Sequence, residues 1–233
     1  MPATNIPQVS WEEFNKKWPH RFKQSQHVTL IGPTGCGKTT LGMELIKPRQ
    51  WVVALGVKYK DETLEQLIKR GANPRWKHIK KWPPPYGANR VVLWPKVEDP
   101  RKMLLEHRQI FSDAFADIYK KGGWCVWLDE ERYISDHLRM KDILTLMYVT
   151  ARSNNISIVG TAQRPRWIPL EAYSQAGHLF VWRTGDEADL KRIGSLNGTD
   201  AKIVANAVTE LPYHSFLYVN LNDGSMAISQ YKP

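Results

Sequence analysis

The run Gly32-Pro33-Thr34-Gly35-Cys36-Gly37-Lys38-Thr39 matches the spacing G-x-x-x-x-G-K-[ST], and that spacing constrains the fold around it. The glycines let the backbone curl until successive N–H groups face one anion. Lys38 brings a cation to the outer phosphates of a nucleotide, and Thr39 offers a hydroxyl to Mg2+. Thr40 opens the following helix, whose N-terminal end adds positive potential. The chemistry requires a buried strand before the loop and a helix after it. His27-Val28-Thr29-Leu30-Ile31 and Thr40-Leu41-Gly42-Met43-Glu44-Leu45-Ile46 read as those two elements. Residues 32–40 are therefore the expected cradle for ATP with Mg2+.

Strand and helix signals alternate along the rest of the chain. Short apolar runs at 51–55, 91–94, 124–128 and 156–163 read as buried strands. Helical patterns fall between them, the longest from about Pro100 to Lys121, where Gly122-Gly123 stops it. Helices are also expected near 61–70, 186–195 and 200–210. Asn222-Asp223-Gly224 between 214–221 and 225–231 predicts a closing β-hairpin. Alternation of this kind predicts an α/β fold, a mostly parallel sheet with helices on both faces. At the N-terminus, Ser10-Trp11-Glu12-Glu13 has the spacing of a capping box and starts a helix to about Trp18. The expected organisation is a helical extension over 1–26 and a phosphate-loop domain over 27–233.

Residues 58–90 read as a less regular insertion. Lys69, Arg70, Arg75, Lys77, Lys80 and Lys81 alternate there with Trp76, Trp82, Tyr86 and Pro83-Pro84-Pro85. Basic groups among aromatics can hold a nucleic-acid backbone. The same pattern also suits a proline-stiffened segment whose tryptophans cover the core. The formal charge of +10 favours a polyanionic partner, with DNA or RNA foremost. Two cysteines exclude a disulfide framework and imply a reducing compartment. No signal peptide is visible, and no apolar run approaches the roughly 20 residues that span a bilayer. The histidines show no metal-ligand spacing with the cysteines.

Nucleotide hydrolysis needs a second acid and a means of positioning water. Trp124 to Leu128 ends in Asp129-Glu130-Glu131, at what should be the carboxyl edge of the sheet, where nucleotides bind. Asp129 is expected to hold Mg2+ with Thr39, and Glu130 to act as general base. Glu131 is the weaker alternative for that base. The strand 156–163 ends at Gln163, which can orient water if this strand lies between the two motif strands. Arg152 precedes that strand. It is either an arginine favoured at a helix C-terminus or a cation that reaches a neighbouring subunit's γ-phosphate. Arg164, Arg166 and Arg183 are possible substitutes.

These motifs resemble those of the HerA/FtsK superfamily of phosphate-loop ATPases that pump DNA. The resemblance rests on Gly32 to Thr39, on Leu128-Asp129-Glu130, and on Thr150-Ala151-Arg152-Ser153-Asn154-Asn155-Ile156 through Thr161-Ala162-Gln163-Arg164-Pro165. It covers residues 27 to 195. In that family an arginine-ended helix precedes a strand closing on a T-Q-R-P-like sequence. A short helix and a strand ending in arginine follow, as in Ile168 to Arg183. Ala162 stands where relatives often have Thr. The resemblance implies a RecA-like ASCE core in a homo-hexameric ring, with Gln163 as sensor and Arg152 as the finger acting on a neighbour. It also implies ATP-driven translocation of double-stranded DNA. The compact chain is similar to genome-packaging ATPases of tailless viruses with internal membranes, which implies capsid vertex proteins as partners and host cytoplasm or virion as location. A phosphate-loop kinase and a nucleotide-gated phage assembly or secretion protein similar to zonula occludens toxin proteins are the alternatives.

Overall fold

A computed structural model describes residues 6–72, 74–194 and 201–231. Its strands are β1 (His27–Ile31), β2 (Val52–Leu55), β3 (Lys77–Ile79), β4 (Arg90–Leu93), β5 (Cys125–Leu128), β6 (Ser157–Ala162), β7 (Ala176–Trp182), β8 (Ser215–Asn220) and β9 (Met226–Gln230). They form one sheet in the order β3-β4-β2-β5-β6-β1-β7-β8-β9. Every pairing from β3 through β7 is parallel, and β8 and β9 join antiparallel. The hairpin expected from Asn222-Asp223-Gly224 is thus the β8–β9 pair.

The sheet is buried on both faces, which is why its inner strands are continuous apolar runs rather than alternating ones. Successive side chains still go to opposite sides. In β5, Cys125 and Trp127 enter one core while Val126 and Leu128 enter the other. The first core is covered by α1 (Trp11–Arg21), α2 (Lys38–Leu45) and α3 (Glu62–Ile68), which supply Phe14, Trp18, Leu41, Leu45 and Leu64. The second is covered by α4 (Pro100–Lys121), α5 (Lys141–Thr150), α6 (Glu171–Ser174), α7 (Glu187–Gly194) and α8 (Ala201–Glu210).

Local chemistry sets the helix ends. The Ser10 side chain accepts from Glu13 N–H, the cap that the sequence pattern predicts. Asp99 caps α4, with Pro100 in its first turn. Helix α1 continues beyond Trp18, through Pro19 to Arg21. Its aromatic stripe explains the extra turn: Phe14, Trp18 and Phe22 stack along one side, Phe14 and Trp18 meet Phe180 and Tyr218 edge-on, and Phe22 meets His178. Trp18 Nε1 donates to Leu45 O at 2.9 Å, which ties α1 to the phosphate-loop helix.

The segment 58–90 holds α3, the helix expected near 61–70, and the edge strand β3, which no sequence signal marked. Trp76 is buried, and Trp82 packs edge-on against Trp124 while its indole N–H donates to Asp117. Tyr86 is fully exposed. The residues joining α7 to α8, 195–200, lie outside the described residues, as do 1–5 of the N-terminal extension.

The helix after the phosphate loop sits very close to the sheet. An added Cβ at Gly42 would stand 2.1 Å from the Trp127 ring. In an open helix, Gly→Ala would stabilise by about 1 kcal/mol. Here overpacking of about 1–3 kcal/mol opposes that gain, and at this distance it wins. We therefore expect Gly42→Ala to lower the urea midpoint, with an unchanged or raised midpoint counting against the close packing of α2 on β5.

Candidate nucleotide site

All parallel strands of the sheet run the same way, so the residues that follow β1, β5 and β6 emerge at one edge. Strand β6 lies between β5 and β1, the order on which the reading of Gln163 depended. The phosphate loop follows β1, the acids follow β5 and Gln163 follows β6. Gly32 N–H donates to Ala162 O at 3.1 Å, fixing the start of the loop against β6. Gly35 and Gly37 take φ of 79° and 103°, a region costly for other residues. These two turns form the curl that aims the loop.

A cavity of about 240 Å³ opens over this edge, lined by Lys38, Thr39, Lys58, Asp129, Glu130 and Gln163 among others. Lys38 lies across the loop, its ammonium donating to Gly32 O at 2.6 Å and Pro33 O at 2.8 Å. Burial lowers its pKa, against the opposing pull of Cys36, Glu130 and Asp129. Thr39 Oγ1 donates to Asp129 Oδ1 at 2.7 Å. The Thr161 hydroxyl donates to the Asp129 carbonyl and holds that backbone in place. Gln163 Nε2 reaches Glu130 Oε2 at 3.3 Å. Burial raises the Glu130 pKa; the Gln163 contact opposes this and Asp129 reinforces it.

Lys58 belongs to this cluster, and no sequence pattern marked it. It follows β2, the neighbour of β5, and its ammonium pairs with Asp129 Oδ2 at 3.2 Å and Asp61 Oδ2 at 3.6 Å. Burial pulls the Lys58 pKa down, and the two aspartates more than reverse it. Its carbonyl accepts from Trp94 Nε1 at 2.6 Å, which anchors the backbone to the end of β4. Only the strand order brings this lysine to the acids.

Other residues fall elsewhere. Glu131 is fully buried and lines no part of the cavity. Burial pushes its pKa up to about 8; Tyr148 pulls the other way and Glu130 adds to the rise. The Tyr148 hydroxyl faces it without closing a hydrogen bond of good geometry. Arg152 is exposed in the 3-10 turn Ala151–Asn154 that precedes β6. That is the opposite edge of the sheet, roughly 20 Å from the cavity at about 3.3 Å per strand residue. Its charge instead adds to burial in lowering the pKa of His27, at the start of β1, to about 4. Arg164 is engaged by Asp186 and by Asp189, the latter at 2.8 Å. Arg183 is exposed and lines a neighbouring cleft with Gln163.

Fold and site together define a phosphate-loop ATPase architecture, and solved structures share it. The DNA-packaging ATPase B204 of Sulfolobus turreted icosahedral virus is similar with a TM-score of 0.62 at 18% identity, over 91% of this chain and 99% of that one. The genome packaging NTPase B204 of Sulfolobus turreted icosahedral virus 2, in complex with sulfate, gives 0.61 at 16% identity, over 89% and 96%. ATPases 2 and 3 of Thermomonospora curvata EccC, in complex with a signal sequence peptide, give 0.52 at 15% identity, over 90% of this chain and 38% of that one. The likeness to these ATPases is one of fold. No protein-family model matches the chain, and no curated protein matches it. No helix among the described residues is long and apolar enough to cross a membrane.

The state of Glu131 gives a pH test. Its folded pKa of about 8 lies above the ordinary carboxylate value of 4.5, so the folded chain holds this proton more tightly than the unfolded one. Its contribution is complete below 4.5 and is lost as pH rises through about 8. Glu131→Gln should therefore flatten the fall in stability between those values, measured by chemical denaturation across pH. An unchanged slope would contradict a protonated Glu131.

Proposed function

We propose that this protein hydrolyses ATP with Mg2+ and uses the energy to move double-stranded DNA, in the packaging of a viral genome. The observation that carries the reading is the meeting of Lys38, Thr39, Asp129, Glu130 and Gln163 around one cavity. A binding cradle alone would need only the loop. A carboxylate paired with an amide at the outer-phosphate end adds what water attack requires. The same pair favours hydrolysis over transfer to a small acceptor.

The donor set suits the metal. Thr39 and Asp129 present hard oxygens joined at 2.7 Å, with the Lys58 ammonium already drawn to the same carboxylate. Mg2+ takes few protein oxygens and keeps water and phosphate as its other ligands. When bound, it would neutralise charge on the β- and γ-phosphates. Lys38 adds a cation to the same oxygens. Glu130 takes the proton from the attacking water, and its raised pKa makes it a stronger base than an ordinary carboxylate. Gln163, in contact with Glu130, holds that water in line.

Three further points support the finer reading. The net charge of +10 suits a polyanionic track. B204 is a genome-packaging ATPase with this fold, and it has been seen with AMPPCP and with ATP-gammaS. Arg152 lies far from its own cavity, which fits a cation that serves an adjoining subunit in a homo-hexameric ring. Capsid vertex proteins and a host-cytoplasm or virion location belong to the same reading.

Glu130→Gln should keep ATP affinity and lose about 10²–10⁴-fold in turnover. Near-normal phosphate release by that variant would remove Glu130 from its role. Duplex DNA should stimulate the wild-type rate, and the stimulation should fall steeply with salt; a rate indifferent to DNA would leave hydrolysis without translocation. Arg152→Ala should also lose turnover. Mixed with Glu130→Gln subunits it should recover part of it, because one partner supplies the arginine and the other an intact cavity. A mixture no more active than its parts would argue against action between subunits.

A further inference from the structure

Lys38 and Lys58 both line the nucleotide cavity, and they are engaged differently. Lys38 turns its ammonium onto the carbonyls of Gly32 and Pro33. Lys58 turns its ammonium onto the carboxylate that pairs with Thr39, 3.2 Å from Asp129 Oδ2. Among the described residues it is the one side-chain cation in an ion pair with Asp129. A second carboxylate stands beside it, with Asp61 Oδ2 3.6 Å from the same ammonium. Asp61 also caps α3, accepting from Leu64 N–H at 3.1 Å. Lys58 is thus shared between the nucleotide cavity and the start of a helix.

The backbone of Lys58 is a fixed pivot. Its carbonyl accepts from the indole of Trp94, and Trp94 is fully buried. Gly56, two residues earlier, lies so close that an added Cβ would stand 2.5 Å from the Trp94 ring. The Lys58 side chain beyond that pivot is about half exposed, whereas those of Asp129 and Asp61 are largely buried. A flexible four-carbon stem on a fixed backbone can trade one carboxylate for the other without moving the sheet.

We propose that Lys58 is a positioning residue that competes with Mg2+ for the Asp129 carboxylate, and that Asp61 receives its ammonium when the metal takes its place. The inference rests on the nucleotide reading above and adds what sets the strength of the metal's hold on the site. An ammonium and a divalent cation on one carboxylate repel each other, so each weakens the binding of the other. Asp61 lowers that cost, because it offers the ammonium a second partner within the same reach. With neither cation in place, Asp129 and Glu130 would turn two negative groups toward the phosphates, and Lys58 prevents this when Mg2+ is scarce. The exchange also links the metal to α3, since Asp61 is the N-cap of that helix.

The test is the affinity of the full chain for ADP, measured by calorimetry with Mg2+ and again with EDTA. The readout is the ratio of the two affinities, which a merely structural residue would leave unchanged. Lys58→Met should weaken binding in EDTA by about tenfold, the scale of a lost contact to a charged group, and change binding with Mg2+ much less, so the ratio rises. Asp61→Asn should act in the opposite direction. Asparagine caps a helix as well as aspartate does, so α3 keeps its start. The displaced ammonium loses its second carboxylate, however, and the ratio falls by a few-fold, the scale of a half-exposed ion pair. Lys58→Arg keeps the charge and should restore binding in EDTA, which separates charge from folding. A ratio unchanged in Lys58→Met, or shifted the same way by Lys58→Met and Asp61→Asn, would overturn the competition while leaving the nucleotide site standing. Failure of the wild type to bind ADP with Mg2+ would overturn the nucleotide reading and this role with it.

Discussion

Parallel pairing of β5, β6 and β1 is the constraint from which the rest of the site follows. Leu128 pairs with Gly160, and Ile31 with Ala162. That register ends β1 and β6 level and β5 opposite Gly160, just short of them, so the acids, the amide and the loop emerge at one edge. A slip of one residue would turn every side chain to the opposite face, sending Trp127 and Leu128 into each other's cores and aiming Asp129 away from Thr39. Side-chain contacts lock the register further. Thr161 holds the Asp129 carbonyl, and Asp129 holds Thr39. The Trp127 ring under Gly42 sets the height of the helix that carries Lys38 and Thr39. Site geometry and core packing are therefore one problem, solved by the same few residues.

The parts of the fold legible in the sequence are those where one local signal had no competitor. β1, β2, β4, β5 and β6 are apolar runs because helices cover both faces, and a buried parallel strand has no polar side to show. The span of α4 was readable because Asp99-Pro100 marks its start and Gly122-Gly123 its end. Strand β3 carried no such signal. Lys77-His78-Ile79 is a short, partly exposed edge strand, and its pairing with β4 is visible only in three dimensions. The tryptophans nearby showed the same ambiguity. Trp76 and Trp82 serve the core, whereas Tyr86 reaches solvent, and composition alone could not separate them.

The site divides the same way. Gly32 to Thr40 and Asp129-Glu130 follow strands of high contrast, and their spacing reflects chemistry within a few residues. Gln163 could be placed only on condition of a strand order. Lys58 could not be placed at all, because its partners are Asp61, three residues on, and Asp129, on another strand. The cavity on the other side of the phosphate loop, walled by Trp182, His214, Gln230 and Tyr231, is harder still. Trp182, His214 and Tyr231 come from separate elements and converge only once the antiparallel β8–β9 pair folds back against β7. Motifs record contacts made by contiguous residues; contacts between elements need the topology first.

Topology also limits what one subunit can do. A parallel sheet puts every carboxyl end of its strands at one edge and every amino end at the other, and residues at the two edges cannot meet within a chain. Arg152 precedes β6, and Gln163 follows it. Under the proposed function, an arginine needed at the γ-phosphate can come from Arg152 only if another copy presents its amino edge to this carboxyl edge. The exposed apolar residues Leu146 and Val149 lie on α5 just before that arginine, where a facing subunit would cover them. Two cations at the carboxyl edge of the same chain are already engaged, while Arg183 is exposed beside Gln163. Arg164 is held by two aspartates, and Lys58 by Asp61 and Asp129. Under that proposal, completion of the site across a subunit boundary would rest on the sheet direction, because Arg152 and Gln163 stand at opposite ends of one strand.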